Sequence, residues 1–183
     1  MNALRMTLPV VLLLSTLLFG QGAARANQSP TLCKVESLPS EIQNRLKEEY
    51  GSWKIQEPTY LSQRAREAWE PEKPLTCPGV AVGHFESAKS LSYAVLLVPT
   101  GHPDEGYRFL AFSQKLDKLD EKGAANYYIQ STPISKFFDE ASRKKFQAHT
   151  MDGILLTDSG ENEYGVEVYF WSGGRYRHEP VDY

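Results

Sequence analysis

The sequence is short of the residues that most often announce a function. Among 183 residues there are two cysteines, three methionines and four histidines. No G-x-S-x-G, H-E-x-x-H, P-loop or G-x-G-x-x-G pattern occurs, which removes nucleophile elbows, zincin helices and the glycine-rich loops that cradle phosphates. His178-Glu179 begins like a zincin pair, but Pro180 follows and no second histidine stands four residues on. The ligands could not share a helix face. Without a C-x-x-C or a Cys/His cluster, neither thioredoxin chemistry nor a structural zinc site is expected, and no metal or other cofactor is expected. Long apolar runs are missing too. The longest, Leu8 to Phe19, has twelve residues, against the roughly 20 a membrane-spanning helix needs.

That run has Arg5 before it and Ala24-Arg25-Ala26 after it, the layout of a signal peptide over residues 1–26. Cys33 follows Pro30-Thr31-Leu32 and so lacks a lipobox, and no twin-arginine pair precedes the apolar run. The expected product is a single domain, 27–183, exported to the periplasm or the exterior. Removing 26 of 183 residues leaves 157, enough chain for one core. Loss of Arg5 and Arg25 leaves 18 cationic side chains against 23 acidic ones, a formal charge of −5. That balance favours solubility and argues against a nucleic-acid partner. Cys33 and Cys77 both remain, and in an oxidising compartment they are expected to pair. Closing a loop of about 45 residues stabilises the fold by roughly 4 kcal/mol in the chain-entropy model. The host stays open, because Asn27-Gln28-Ser29 would be a glycosylation sequon in a eukaryote.

The densest apolar and aromatic stretch runs from Cys77 to Ser113, and the rest of the chain is expected to attach to it. Gly79 to Phe85 alternates, with Ala81, Gly83 and Phe85 on one side. Ser92 to Val98 is a continuous apolar run, as a strand buried on both faces requires. Tyr107 to Phe112 alternates again, so short links suggest an antiparallel meander. Before this core, Ser40 is a candidate cap for a helix bearing Ile42 and Leu46, with Gly51 as a left-handed exit. Tyr60 to Trp69 is a second helix, with Leu61, Ala65, Ala68 and Trp69 inward. After the core, residues 116–123 read as charged and exposed, and Asn126 to Ser131 as a strand. A third helix, near 135–148, carries Phe137, Phe138, Ala141 and Phe146. Asp152-Gly153 reads as a turn into a short strand at Ile154–Leu156. The fold expected is α+β: an antiparallel sheet of six or seven strands with two or three helices packed on it and one disulfide.

The closing segment, Tyr164 to Glu179, reads as a hairpin around Ser172-Gly173-Gly174. A two-residue loop would put Arg175 and Arg177 on the face of Val166, Val168 and Phe170. A three-residue loop would pair Trp171 with Arg175 and Tyr169 with Arg177, and it buries no arginine, so it is preferred. Tyr169, Trp171, Arg175 and Arg177 then share one face. Aromatic and arginine side chains are enriched where binding energy concentrates, and this set is the candidate binding site. The bland alternative is ordinary cross-strand pairing. No catalytic residue is assigned. Of the histidines, His102 lies in a loop beside Asp104 and Glu105, while His84 and His178 lie on strands and His149 near the third helix. The acidic loop Asp158–Glu163 supplies only part of a calcium-binding spacing and reads as a solvated turn.

Three short stretches resemble known patterns. His84-Phe85-Glu86-Ser87-Ala88-Lys89-Ser90-Leu91-Ser92-Tyr93-Ala94-Val95-Leu96-Leu97-Val98 resembles the D-F-N-G-D-G-x-x-D-Y-A-V-L-L motif of FG-GAP/VCBS-type repeats. Phe85, Tyr93 and the apolar strand match, but His84, Ala88 and Ser92 replace the metal-binding acids, so calcium binding does not carry over. A single copy does not imply a propeller. Leu38-Pro39 through Trp53-Lys54-Ile55 is similar to the opening of small exported PepSY-like modules, some of whose relatives are protein inhibitors. Val166 to Trp171 with the following glycines is similar to the ending of uncharacterised exported bacterial proteins. These likenesses imply compartment and sheet architecture.

The function expected is an exported, non-enzymatic binding module, an inhibitor or immunity-type protein acting on another protein of the envelope or exterior. The alternative is a small exported hydrolase using His102 with Asp104 or Glu105, or using His84.

Overall fold

A strand that is apolar at every position has no solvent side, so both of its faces must be covered. In the computed structural model, β3 (Ser92–Pro99) meets this condition: Ala94 through Val98 are all buried. The structure describes residues 33–70, 76–101, 106–112, 114–117, 124–141, 151–160 and 164–181. Residues 1–26, read from sequence as a signal peptide, therefore lie outside the described residues, as do His102, Asp104, Glu105 and His149.

The N-terminal segment with α1 supplies one of its two covers. Helix α1 (Ser40–Glu49) buries Ile42 and Leu46, as the spacing of four predicts. Its entry differs from expectation: Pro39 is the cap and Ser40 the first helical residue, with no side-chain cap bond. Strand β1 (Trp53–Ile55) follows, and Gly51 is not among the glycines with positive φ. Helix α2 (Gln63–Trp69) is capped by Ser62, whose hydroxyl accepts the Ala65 N–H at 3.3 Å. Leu61, Ala65 and Trp69 are buried, as their pattern predicts. The disulfide joins Cys33 to Cys77, with Cα atoms 5.2 Å apart.

The expected single sheet is in fact two. The first contains β1, β2 (Val80–Gly83), β3, β4 (Arg108–Ala111) and β5 (Gln114–Asp117). Strands β1 and β2 share one edge of β3, because Leu97 pairs with both Ile55 and Arg108, and Val95 with both Val80 and Leu110. The second sheet has the order β6 (Tyr127–Pro133), β7 (Asp152–Ser159), β8 (Tyr164–Ser172), β9 (Arg175–Pro180). All its pairings are antiparallel. Two expectations from composition change as well. Backbone pairing reaches Asp152-Gly153, which is part of β7 rather than a turn, and β5 takes in residues 116–117 at the start of the stretch read as charged and exposed.

Alternation sorts the side chains into layers. Ala81, Ala94, Leu96, Val98, Phe109 and Ala111 of the first sheet face Ile129, Ile154, Leu156 and Tyr169 of the second, with Phe85 and Tyr107 in the same cluster. Val95, Leu97 and Leu110 face the other way, onto Ile42, Leu46, Ile55 and the disulfide. Each fully buried side chain of this size contributes roughly 1.5–3 kcal/mol of transfer free energy. The outer face of the second sheet is covered by α2 over Tyr128 and by Phe137 and Phe138 against Leu155, Val166 and Val168. Phe137 and Phe138 dock on the sheet as expected, but not from a helix, which begins only at residue 140. They follow a short 3-10 turn, and residues 142–150 of the expected third helix lie outside the described residues.

Gln56 locks the layers together. It is fully buried; its N–H donates to Leu96 O at 2.8 Å and its side-chain Nε2 donates to Tyr127 O at 3.2 Å. Gly79 presses on the same residue: a methyl there would stand 2.5 Å from Gln56 O and 2.7 Å from Gln56 N. Gly79→Ala should therefore lower the unfolding free energy by about 1–3 kcal/mol, read as a lower urea midpoint at unchanged slope. Gly165→Ala, whose methyl would meet only Asp158 Cβ at 4.0 Å, should leave the midpoint nearly unchanged.

Candidate functional site

Ser172-Gly173-Gly174 decides how the last hairpin presents its side chains. Both glycines have positive φ, 59° and 82°, the requirement of a two-residue turn of the mirror-image type. The pairing accordingly sets Ser172 opposite Arg175, Trp171 opposite Tyr176, Phe170 opposite Arg177 and Tyr169 opposite His178. This corrects the three-residue register. The arginines share a face with Val166, Val168 and Phe170, as in the register that was set aside, yet both are exposed. The cost that counted against that register does not arise, because β9 is the end strand of its sheet and its side chains reach solvent.

The four candidate residues are therefore divided between two faces. Tyr169 is a core residue, its ring edge-on to Phe109 with centroids 5.0 Å apart. Trp171 is half-buried and edge-on to Tyr176 at 5.1 Å. Arg175 and Arg177 stand together on the opposite side, and neither side chain has an ion pair or hydrogen bond among the described residues.

On the inward side, the true register assembles groups that composition did not single out. Tyr169 OH donates to Glu167 Oε2 at 3.0 Å, and His178 Nδ1 stands 3.1 Å from the same oxygen. The His178 imidazole stacks on the Tyr169 ring, 5.1 Å between centroids and 15° between planes. Tyr176 OH donates to Glu86 Oε1 at 2.8 Å, tying the hairpin to the loop after β2. Reading Gly-Gly as a two-residue turn would have placed His178 opposite Tyr169 and diagonal to Glu167.

His84 has a carboxylate neighbour. Its N–H donates to Asp152 Oδ2 at 2.8 Å, and its Nδ1 lies 3.4 Å from that oxygen. Among the described residues, two cavities flank the first sheet without a histidine in their lining. One, of about 370 Å³, lies between α1 and β1 and includes Glu36, Lys47, Tyr50 and Trp53. The other, of about 250 Å³, lies between β2 and β6 and includes Val80, Val82, Ile129 and Ser131. Among the described residues, no group of three or more His, Cys, Asp or Glu side chains gathers to hold a metal ion. No helix among them is long and apolar enough to cross a membrane.

The class defined by these elements is an α+β protein of two stacked antiparallel sheets, stapled by one disulfide and closed by a glycine-turned hairpin. The chain matches no protein-family model, no curated protein and no solved structure.

Tyr176 offers a test of the hairpin's attachment. Burial pushes its phenol far above the ordinary value of 10.0, and the hydrogen bond to Glu86 and its charge push the same way. Below about pH 10, folded and unfolded chains both keep this proton, and its contribution to stability is fully present. Above that, the unfolded chain loses the proton first, so stability falls as pH rises. Tyr176→Phe should be about 1–2 kcal/mol less stable at pH 7 and should lack this alkaline decline. Urea unfolding at a series of pH values from 8 to about 11 measures both. Parallel declines in the two proteins would contradict the assignment.

Proposed function

We propose that the chain is an exported, non-enzymatic binding module, an inhibitor or immunity-type protein that acts on another protein of the envelope. Its recognition element is the β8–β9 hairpin. The observation that carries this reading is the pair Arg175 and Arg177, exposed on an end strand without an anionic partner among the described residues. Arginine is strongly enriched at binding hot spots, as is tryptophan, and Trp171 lies on the same hairpin. The disulfide suits an oxidising compartment. The PepSY-like stretch spans α1 and β1.

Capture from envelope extract tests the reading. Arg175→Ala, Arg177→Ala and Trp171→Ala should each lose a partner retained by the wild type, with the arginine variants unchanged in thermal unfolding. Identical partner sets for wild type and all three variants would remove the hairpin as the recognition element.

One observation favours the hydrolase reading: Asp152 stands beside His84 as an orienting carboxylate stands beside a general base. Assay against chromogenic ester, peptide and glycoside substrates, with His84→Asn as the control, decides it. Turnover that His84→Asn abolishes supports a hydrolase, and no turnover in the wild type ends that reading.

A further inference from the structure

A strand at the end of a sheet leaves half of its backbone groups facing outward. Which half is fixed by the turn. In a two-residue hairpin the residues flanking the loop exchange both backbone hydrogen bonds, so Arg175 bonds back to Ser172, and Arg177 and Glu179 bond to Phe170 and Val168. Val181 N–H donating to Val166 O at 2.8 Å continues the same parity. Tyr176 and His178 therefore turn their N–H and C=O groups away from β8. Pro180 can offer only its carbonyl. No strand among the described residues pairs with this side of β9.

Beside this short ladder, Arg175 and Arg177 project from one face at the spacing of two that aligns side chains along a strand. Such charges usually blunt an edge against indiscriminate pairing. Here they also select. A basic strand laid against β9 would set like charges opposite one another, which is destabilising, whereas acidic side chains at alternate positions would meet both guanidinium groups. Glu179, next on the same side, disfavours a third acid in line. On the other face, Tyr176 is half-buried and Glu167 already holds His178, so the residue between the two acids should be uncharged.

The same pattern disfavours a second copy of this chain. Two-fold antiparallel pairing through the outward groups must be centred on Tyr176, Arg177 or His178. The first sets Arg175 opposite Arg177, and the second sets Arg177 opposite itself. The third sets Arg177 opposite Glu179, which is favourable, but puts Pro180, which lacks an N–H, opposite Tyr176 and forfeits a backbone bond at each end.

We propose that β9 is a strand-addition edge for an extended protein segment carrying two acidic side chains at positions i and i+2 with an uncharged residue between them. This rests on the hairpin being the recognition element, and it specifies what that element takes.

The test uses three capped heptapeptides of threonine, valine and two glutamates. In the first the glutamates are two apart, in the second they are adjacent, and the third is the first with N-methyl groups on the backbone amides that would face β9. The first should bind about fivefold or more tightly than the second, and the third should not bind. Amide exchange should slow at Tyr176 and His178 when the first peptide is bound. The double variant Arg175→Glu/Arg177→Glu should lose the preference for spaced glutamates and gain one for spaced lysines. Equal affinity for the first two peptides, or binding without protection of those two amides, would overturn strand addition. Protection that rises with protein concentration in the absence of peptide would overturn it in favour of self-pairing. Should the arginine variants lose their envelope partners while no peptide binds, the hairpin recognises its partner by side chains alone and only strand addition falls. Should envelope capture be unaffected by the variants, the binding-module reading falls with it.

Discussion

The double burial of β3 is the constraint on which the other elements depend. With Ala94, Leu96 and Val98 on one side and Val95 and Leu97 on the other, no placement leaves the strand half wet. One face takes α1 and the disulfide, and the other takes the second sheet. Gln56 sits where these demands meet, bonded to Leu96 of one sheet and Tyr127 of the next. A fully buried amide costs several kcal/mol unless its groups are bonded, so its position sets the spacing of the layers as firmly as apolar contact does. The Cys33–Cys77 link ties the N-terminal layer to the entry of β2, close to the same point.

Local signals in the sequence predicted the elements better than their assembly. Ile42 and Leu46 at spacing four, the alternation of Ala81 and Gly83, and the unbroken apolar run of β3 each depend on neighbours within a few residues, and each is found as read. The division into two sheets could not be read this way, because it depends on which strands share an edge. Val80 and Ile55 both lie against β3, and no pattern inside either strand records that. Asp152-Gly153 failed for a related reason. Turn chemistry was present, but Thr132 and Pro133 pair with these residues across the sheet, and there is no room for a larger residue at 153, where a methyl would lie 2.9 Å from Tyr169 O.

The hairpin that carries the candidate site was legible in its location and not in its geometry. The hairpin was recognised, but the preference for a larger loop came from assuming that an arginine on the face of Phe170 must be buried. That assumption holds for a central strand and fails at an edge, where the long side chain extends past the core into water. Glycines at both 173 and 174 were the stronger signal, since two consecutive residues with positive φ suit glycine far better than any other side chain. Giving them priority would have separated the aromatic pair from the arginine pair and placed His178 against Tyr169 and Glu167.

That separation changes what the hairpin can do. A mixed aromatic and arginine face would be a flat contact surface whose long side chains lose freedom on binding. The observed arrangement instead places the aromatic side on structural duty: Tyr169 is packed in the core and bonded to Glu167, His178 is stacked on it, and Tyr176 is anchored to Glu86. These contacts hold β9 in the extended form that a ladder of backbone bonds requires. A partner segment would then meet an edge that is already ordered, and the entropy of ordering would fall mainly on the incoming segment and on two guanidinium side chains. Backbone groups are common to every sequence and cannot discriminate between partners. Selection would be left to Arg175, Arg177 and Glu179, three charged side chains at alternate positions of an end strand, and their order along the strand would carry whatever specificity the edge has.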